Sequence, residues 1–163
     1  MDDRIVKATG AHSGRNIYPN EEGLGFLDMK IGLFQTQKGA TIKILRSQVA
    51  PRHPEMIFYT LYGTQGFVEN GREGGWGGTQ GRLYIESEMD KKSGAQPIDC
   101  PTVDPNATQE MLSGGHGTSE YFMVRDFINA IENHTQPPID VARAIDFTAP
   151  GICSHEAAMQ GGV

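Results

Sequence analysis

Every stretch of helical apolar spacing in this 163-residue chain lies after Thr118, whereas the residues before it carry short β-branched and aromatic runs divided by Gly, Pro and Asn. Strands first and helices last do not wind up as alternating βαβ units. The order predicts an α+β fold: an open, mainly antiparallel β-sheet with helices packed on one face, the helices being C-terminal.

Within the strand region, Arg4–Thr9 reads as a first strand that starts almost at residue 1, as though the chain were part of a longer protein. Gly10 to Gly25 is polar and turn-rich and reads as a long loop, a kind of segment that is often functional. Residues 27–36 and 40–49 flank Gln37-Lys38-Gly39, whose glycine suits the left-handed position of a bulged hairpin. In the second arm Ile42 and Ile44 alternate with Thr41 and Lys43, which predicts one buried and one wet face. Met56–Tyr62 is turned by Gly63-Thr64-Gln65-Gly66 into Phe67-Val68-Glu69, and a second GTQG at Gly78–Gly81 leads into Leu83–Glu86. Residues 89–113 are polar, carry three prolines and show no period, so they read as a surface excursion.

Two helices follow. Thr118 or Ser119 can cap the first, which places Tyr121, Val124, Phe127, Ile128 and Ile131 on one face and Arg125, Asp126, Asn129 and Glu132 on the other. Asp140 caps the second, with Val141, Ala144, Ile145 and Thr148 on one side; Pro150-Gly151 is expected to kink or interrupt it, and Gly161-Gly162 to end it.

Length implies one domain over residues 1–163. The apolar share is 37%, and the 21 glycines lift it to the level of a globular protein. Fourteen basic against twenty acidic residues give a net charge of −6 without a Lys/Arg cluster, which argues against nucleic acid as a partner. No apolar run has the length of a membrane span, and the first residues lack the regions of a signal peptide, so a cytoplasmic protein is expected, an exported one remaining open if the sequence is partial. Cys100 and Cys153 are far apart and read as ordinary thiols.

Of the segments that could carry chemistry, Gly74–Gly81 invites comparison with phosphate loops. Such a loop leaves a strand and opens a helix, whereas this one lies between two strands and fails the GxGxxG spacing. A flexible inter-strand loop, or sugar stacking on Trp76, accounts for it better. Gly114-Gly115-His116-Gly117-Thr118-Ser119-Glu120 is more pointed, because glycines strip away cover just before a helix start. His116, with Gly117 beside it, then stands where it can donate to a substrate hydroxyl or move a proton; the alternative is a histidine that hydrogen-bonds a carbonyl in a tight turn. Arg52 and His53, stiffened between Pro51 and Pro54, could grip a hydroxyl-rich ligand or form a solvated turn. His12 and Arg15 in the early loop are further pocket candidates. His134 follows the first helix where it would complement the dipole, and His155 has a structural place in the last helix. No histidine and carboxylate pair has metal-ligand spacing, and no serine is framed as GxSxG.

The run GGHGTSEYFMVRDFINAIE, followed by PPIDVARAIDFTAPGICSHEAAMQGG, resembles the C-terminal domain of the Gfo/Idh/MocA family of NAD(P)-dependent oxidoreductases. LDMKIGLFQTQKGATIKI is similar to the central hairpin of that domain, and FYTLYGTQGFVE to the strand, turn and strand after it. The resemblance implies an open antiparallel sheet in a domain that follows a Rossmann domain, with oligomer contacts through the sheet and a sugar or polyol on the other side. Within it His116 matches the histidine of a GGHG segment that, in relatives similar to the NAD-using glycosidases, lies at the substrate pocket. Arg52 and His53 match a loop of less certain role. The chain has neither GxGxxG nor the EKP segment of the family's nucleotide-binding half.

Three functions are therefore expected in order: the C-terminal substrate-binding and oligomerisation domain of an NAD(P)-dependent sugar or polyol oxidoreductase; the same domain of an NAD-using glycoside hydrolase; or a stand-alone binding or assembly module without catalysis. NAD or NADP is implied for the complete enzyme, with no cofactor and no activity expected of this chain alone. Its expected partners are the sugar, the missing Rossmann domain and further copies of itself through the sheet face.

Overall fold

The computed structural model of the chain describes residues 3–14, 27–47, 49–51, 57–71, 80–101, 103–114 and 116–162. They fall into two units, Met1–Ala50 with Gln136–Val163, and Pro51–Thr135.

The first unit is built on the hairpin. Strands β2 (Met29–Thr36) and β3 (Thr41–Ser47) pair antiparallel, and Gly39 at φ +92° supplies the left-handed step of the three-residue connection. Thr36 closes the turn: its N–H donates to the Ala40 carbonyl at 2.9 Å and its hydroxyl accepts from the Ala40 N–H at 2.9 Å. Asp3 braces the tip by accepting from the Lys38 N–H at 3.0 Å. The Thr36 hydroxyl, with the Lys38 and Arg4 amides, holds that carboxyl below the usual carboxylate range. β1 (Ile5–His12) adds antiparallel to β2, giving the order β1-β2-β3.

β1 corrects the expected loop start. Gly10, Ala11 and His12 continue the strand, because Gly10 pairs with Gly32 and both serve the approach of a helix rather than a turn. That helix, α2 (Val141–Met159), is capped by Asp140, whose side chain accepts from the Arg143 N–H at 2.8 Å. It lies on β1 and β2. A Cβ on Gly10 would meet the Ser154 carbonyl and come 2.8 Å from the Ser154 hydroxyl; a Cβ on Gly32 would come 2.8 Å from that hydroxyl as well. The Ser154 hydroxyl donates to the Thr9 carbonyl at 3.0 Å, and Arg4 pairs with Asp146 at 2.6 Å.

Pro150 sits inside α2 without interrupting it, since it removes one backbone bond while Ser154, Ala157 and Ala158 anchor the next turns on the sheet. The buried face is made of those small residues; Val141 and Ile145, which share one side of the helix, are 77% and 58% exposed. Ile44 on β3 is also 57% exposed, because α2 covers β1 and β2 and leaves the edge strand bare. At its end the Gly162 N–H reaches the Ala157 carbonyl and the Gly161 N–H the Ala158 carbonyl, with Gly161 at φ +87°: a Schellman stop.

The second unit holds a four-stranded antiparallel sheet in chain order: β4 (Thr60–Gly63), β5 (Gly66–Asn70), β6 (Gln80–Ile85) and β7 (Gln96–Asp99). Thr64-Gln65 makes the tight turn between β4 and β5. Tyr62, Phe67 and Tyr84 stand side by side across β4, β5 and β6, with ring centroids 5.8 and 6.2 Å apart. β7 lies inside the stretch read as an excursion; Pro97 is tolerated there because β7 is an edge strand. Helix α1 (Ser119–Glu132) ends in a second Schellman motif, with the Thr135 N–H on the Ala130 carbonyl, the His134 N–H on the Ile131 carbonyl and His134 itself at φ +53°. Open antiparallel sheets with two C-terminal helices make the fold α+β, as the element order predicts.

Gly10→Ala should cost about 1–3 kcal/mol by forcing α2 off the sheet. Gly151→Ala, inside α2 and facing open space, should gain about 0.5–1 kcal/mol. Urea unfolding of the two variants against the parent checks both signs.

Candidate functional site

The start of α1 is organised around one carboxylate. Gly117 adopts φ +67° and turns the chain into the helix at Thr118, which is buried and whose hydroxyl accepts from the Asp104 N–H at 3.3 Å. Thr118 is therefore the N-cap by position, but its side chain ties down the preceding segment instead of a helix amide. The helix side of the junction is held by Glu120, which reaches back to accept from the His116 backbone N–H at 3.0 Å and from the His116 ring, Nδ1 to Oε1, at 2.5 Å. The Ser119 hydroxyl donates to the His116 carbonyl at 2.8 Å. Gly114 makes room for this: a Cβ there would collide with the Glu120 carboxylate.

The hydrogen bond from the His116 ring, then that from its amide, holds Glu120 below the usual carboxylate range. A carboxylate on Nδ1 selects the tautomer with its proton there, so Nε2 becomes the acceptor nitrogen of the ring. The imidazole is 66% exposed and its partner carboxylate 35%. Glu120 also lines an open groove of about 460 Å³ between residues 110–114 and one side of α1, with Met111, Tyr121, Val124 and Ile128 as its apolar wall and Arg125 and Asn129 among its polar groups. A carboxylate-held imidazole beside an amphipathic groove can orient a hydroxylated ligand and exchange a proton with it.

His116 and Gly117 are thus placed together, in the second unit. His12 is in the first, at the end of β1, where its Nδ1 accepts from the Gly14 N–H at 3.0 Å. Arg15, Arg52, His53 and Trp76 lie outside the described residues. The residue that motif reading passed over is Glu120. Its signal is the i, i+4 spacing from His116 just ahead of a helix. His134 takes the left-handed position that closes α1, and His155 stands exposed on α2.

Among the described residues the N-terminus of α1 is occupied by the Glu120 carboxylate and that of α2 by the Asp140 side chain. Among the described residues no three His, Cys, Asp or Glu side chains cluster as metal ligands, and no helix is long and apolar enough to cross a membrane. Cys100 and Cys153 are free thiols.

Residues 20–163 match the family model of the glycosyl hydrolase 109 C-terminal domain. The chain belongs to that family. It is a C-terminal domain family of the Gfo/Idh/MocA kind, as the GGHG and hairpin segments indicated. Among curated proteins the chain is similar to a glycosyl hydrolase family 109 protein of Streptomyces niveus, 29% identical over 137 residues, which cover 83% of this chain and 26% of the relative. This glycosyl hydrolase 109 C-terminal domain therefore spans about a quarter of the relative it matches.

Because the folded-state carboxyl of Glu120 is lowered, its bonds to His116 contribute above the ordinary carboxylate range and are lost as pH falls through the lowered value. The His116 amide should therefore show an acid-side change in its NMR shift that Glu120→Gln abolishes. Gly114→Ala should displace the carboxylate and shift the same amide at neutral pH.

Proposed function

We propose that this domain forms one wall of the sugar pocket in an NAD-dependent glycosidase, and that the protein works in the cytoplasm. The observation that carries the reading is the His116–Glu120 pair, set among glycines at the start of α1 beside a groove, in a chain of the glycosyl hydrolase 109 C-terminal family. Family membership favours glycosidase over plain dehydrogenase chemistry, although the same pocket would serve either. The dinucleotide and the groups that perform oxidation and elimination belong, in this reading, to a part of the protein outside this sequence. The contribution of the chain is to bind and orient the sugar: His116 meets a ring hydroxyl, Glu120 fixes the imidazole tautomer, and the Gly117 backbone brings the turn close to the ligand.

The reading extends to assembly. The face of β1–β3 away from α2 carries Met29, Leu33 and Leu45, which are 39%, 43% and 62% exposed. Neighbouring apolar side chains of this kind on an open sheet suit a contact between copies of the protein.

The intact protein, supplied with NAD and a nitrophenyl glycoside, should release nitrophenol; oxidation of free sugar without release would instead mark a dehydrogenase. His116→Ala should lower kcat/KM by about 10²–10⁴-fold if the ring transfers a proton, and Glu120→Gln by about tenfold if it only orients that ring. Leu33→Asp with Leu45→Asp should reduce the sedimentation coefficient to that of a monomer, and an unchanged value would remove the sheet face from the assembly.

A further inference from the structure

The groove of the second unit runs along α1. Glu120 stands at one end, Tyr121, Val124 and Ile128 follow at helical spacing as an apolar row, and Asn129 marks the far end. From Glu120 to Asn129 the helix rises about 14 Å. Met111 and Gly114 belong to the facing wall, with Gly114 next to the Glu120 carboxylate. The groove therefore starts at the group that holds the His116 ring and leads away from it.

Its size and lining restrict what can occupy it. A volume of about 460 Å³ lies within the range of sites for drug-sized ligands. A single sugar ring is about as long as one helical turn, roughly 5 Å, so a sugar held at His116 leaves more than one further turn of groove to fill. Along that remainder Met111, Val124 and Ile128 donate no hydrogen bond and accept at most weakly. A second hydroxylated ring placed against them would lose water without replacing it. Charge narrows the choice further. Glu110 and Glu120 are acids of the lining, whereas Arg125, the one base among the described lining residues, is held by Asp126 at 2.7 Å and lies over the Phe122 ring at 4.6 Å. An anionic occupant is disfavoured.

We propose that this groove is an aglycone subsite, which takes the leaving group of a glycoside whose sugar lies at His116. That leaving group is uncharged and apolar, an alkyl or aryl body lying along Val124, Ile128 and Met111. The proposal rests on the sugar-pocket reading of His116 and Glu120 and adds the substrate class to it: hydrophobic glycosides rather than oligosaccharides.

Methyl, butyl and hexyl glycosides of one sugar, the one whose nitrophenyl glycoside the intact protein cleaves with NAD, test the proposal, with release of free sugar as the readout. The three leaving groups share one chemistry, so their ratio reports how the chain is bound. From methyl to hexyl, kcat/KM should rise at least tenfold as methylenes leave water. A disaccharide with the same sugar at its non-reducing end should be cleaved no faster than the methyl glycoside. Val124→Asn with Ile128→Asn should bring the hexyl-to-methyl ratio to about one. Met123→Asn, exposed on α1 but outside the groove lining, should leave that ratio as in the parent. Turnover that depends on His116 yet is equal for methyl and hexyl glycosides, a disaccharide preferred to the hexyl glycoside, or a hexyl preference kept in full by the double variant with circular dichroism like the parent would overturn the subsite and leave the sugar-pocket reading standing. Cleavage unaffected by His116→Ala, or cleavage of no glycoside at all, would sink the sugar-pocket reading and the subsite with it.

Discussion

The contact of Ser154 with Gly10 and Gly32 is the constraint on which the first unit depends. A helix can come this close to a sheet only where the strands lack side chains, and the two glycines face each other across β1 and β2 at the point where Ser154 arrives. The serine then satisfies its hydroxyl on the Thr9 carbonyl, so that burial of a polar group costs little. The buried side of α2 consequently consists of serine and alanine, and its large apolar side chains point elsewhere. The same close fit leaves β3 uncovered.

Much of this was legible in the sequence where a residue type has only one comfortable use. Gly39 after Gln37-Lys38 specified the hairpin, Asp140 the start of α2 and Gly161 its end, because a left-handed step and a free helix amide each have few solutions. Gly10 was misread because glycine also has a second use: it permits approach, and nothing near it in sequence announces a helix that arrives more than a hundred residues later. Pro150 illustrates the converse, since its local penalty is certain while the tertiary packing that keeps α2 continuous past it is invisible in the pattern. β7 escaped notice because an edge strand needs neither alternation nor a full set of amides, and Pro97 made the segment look like a loop.

The candidate site divides in the same way. His116 stood out through its glycines, yet its partner Glu120 was hidden in a sequence that read as a helix start. The two functions coincide physically: the carboxylate that completes the junction before α1 is the one that holds the ring. Gly114 belongs to this arrangement as a space reserved for a side chain six residues on. A motif of small residues around one histidine is thus better understood as a mould for a carboxylate than as a flexible loop.

The first unit is discontinuous in sequence, since the chain leaves it at Ala50 and returns at Gln136. As the polypeptide emerges from the ribosome, the three strands are complete long before the helix that covers them exists. Thr9 must wait for Gly162, whose carbonyl its hydroxyl meets at 2.7 Å. During that interval the glycine-lined face is bare, and the loop to be closed spans nearly the whole chain. The Schellman turn at His134 therefore sits at the seam in the sequence where the inserted unit ends, and residues 136–163 supply the helix that completes the first unit.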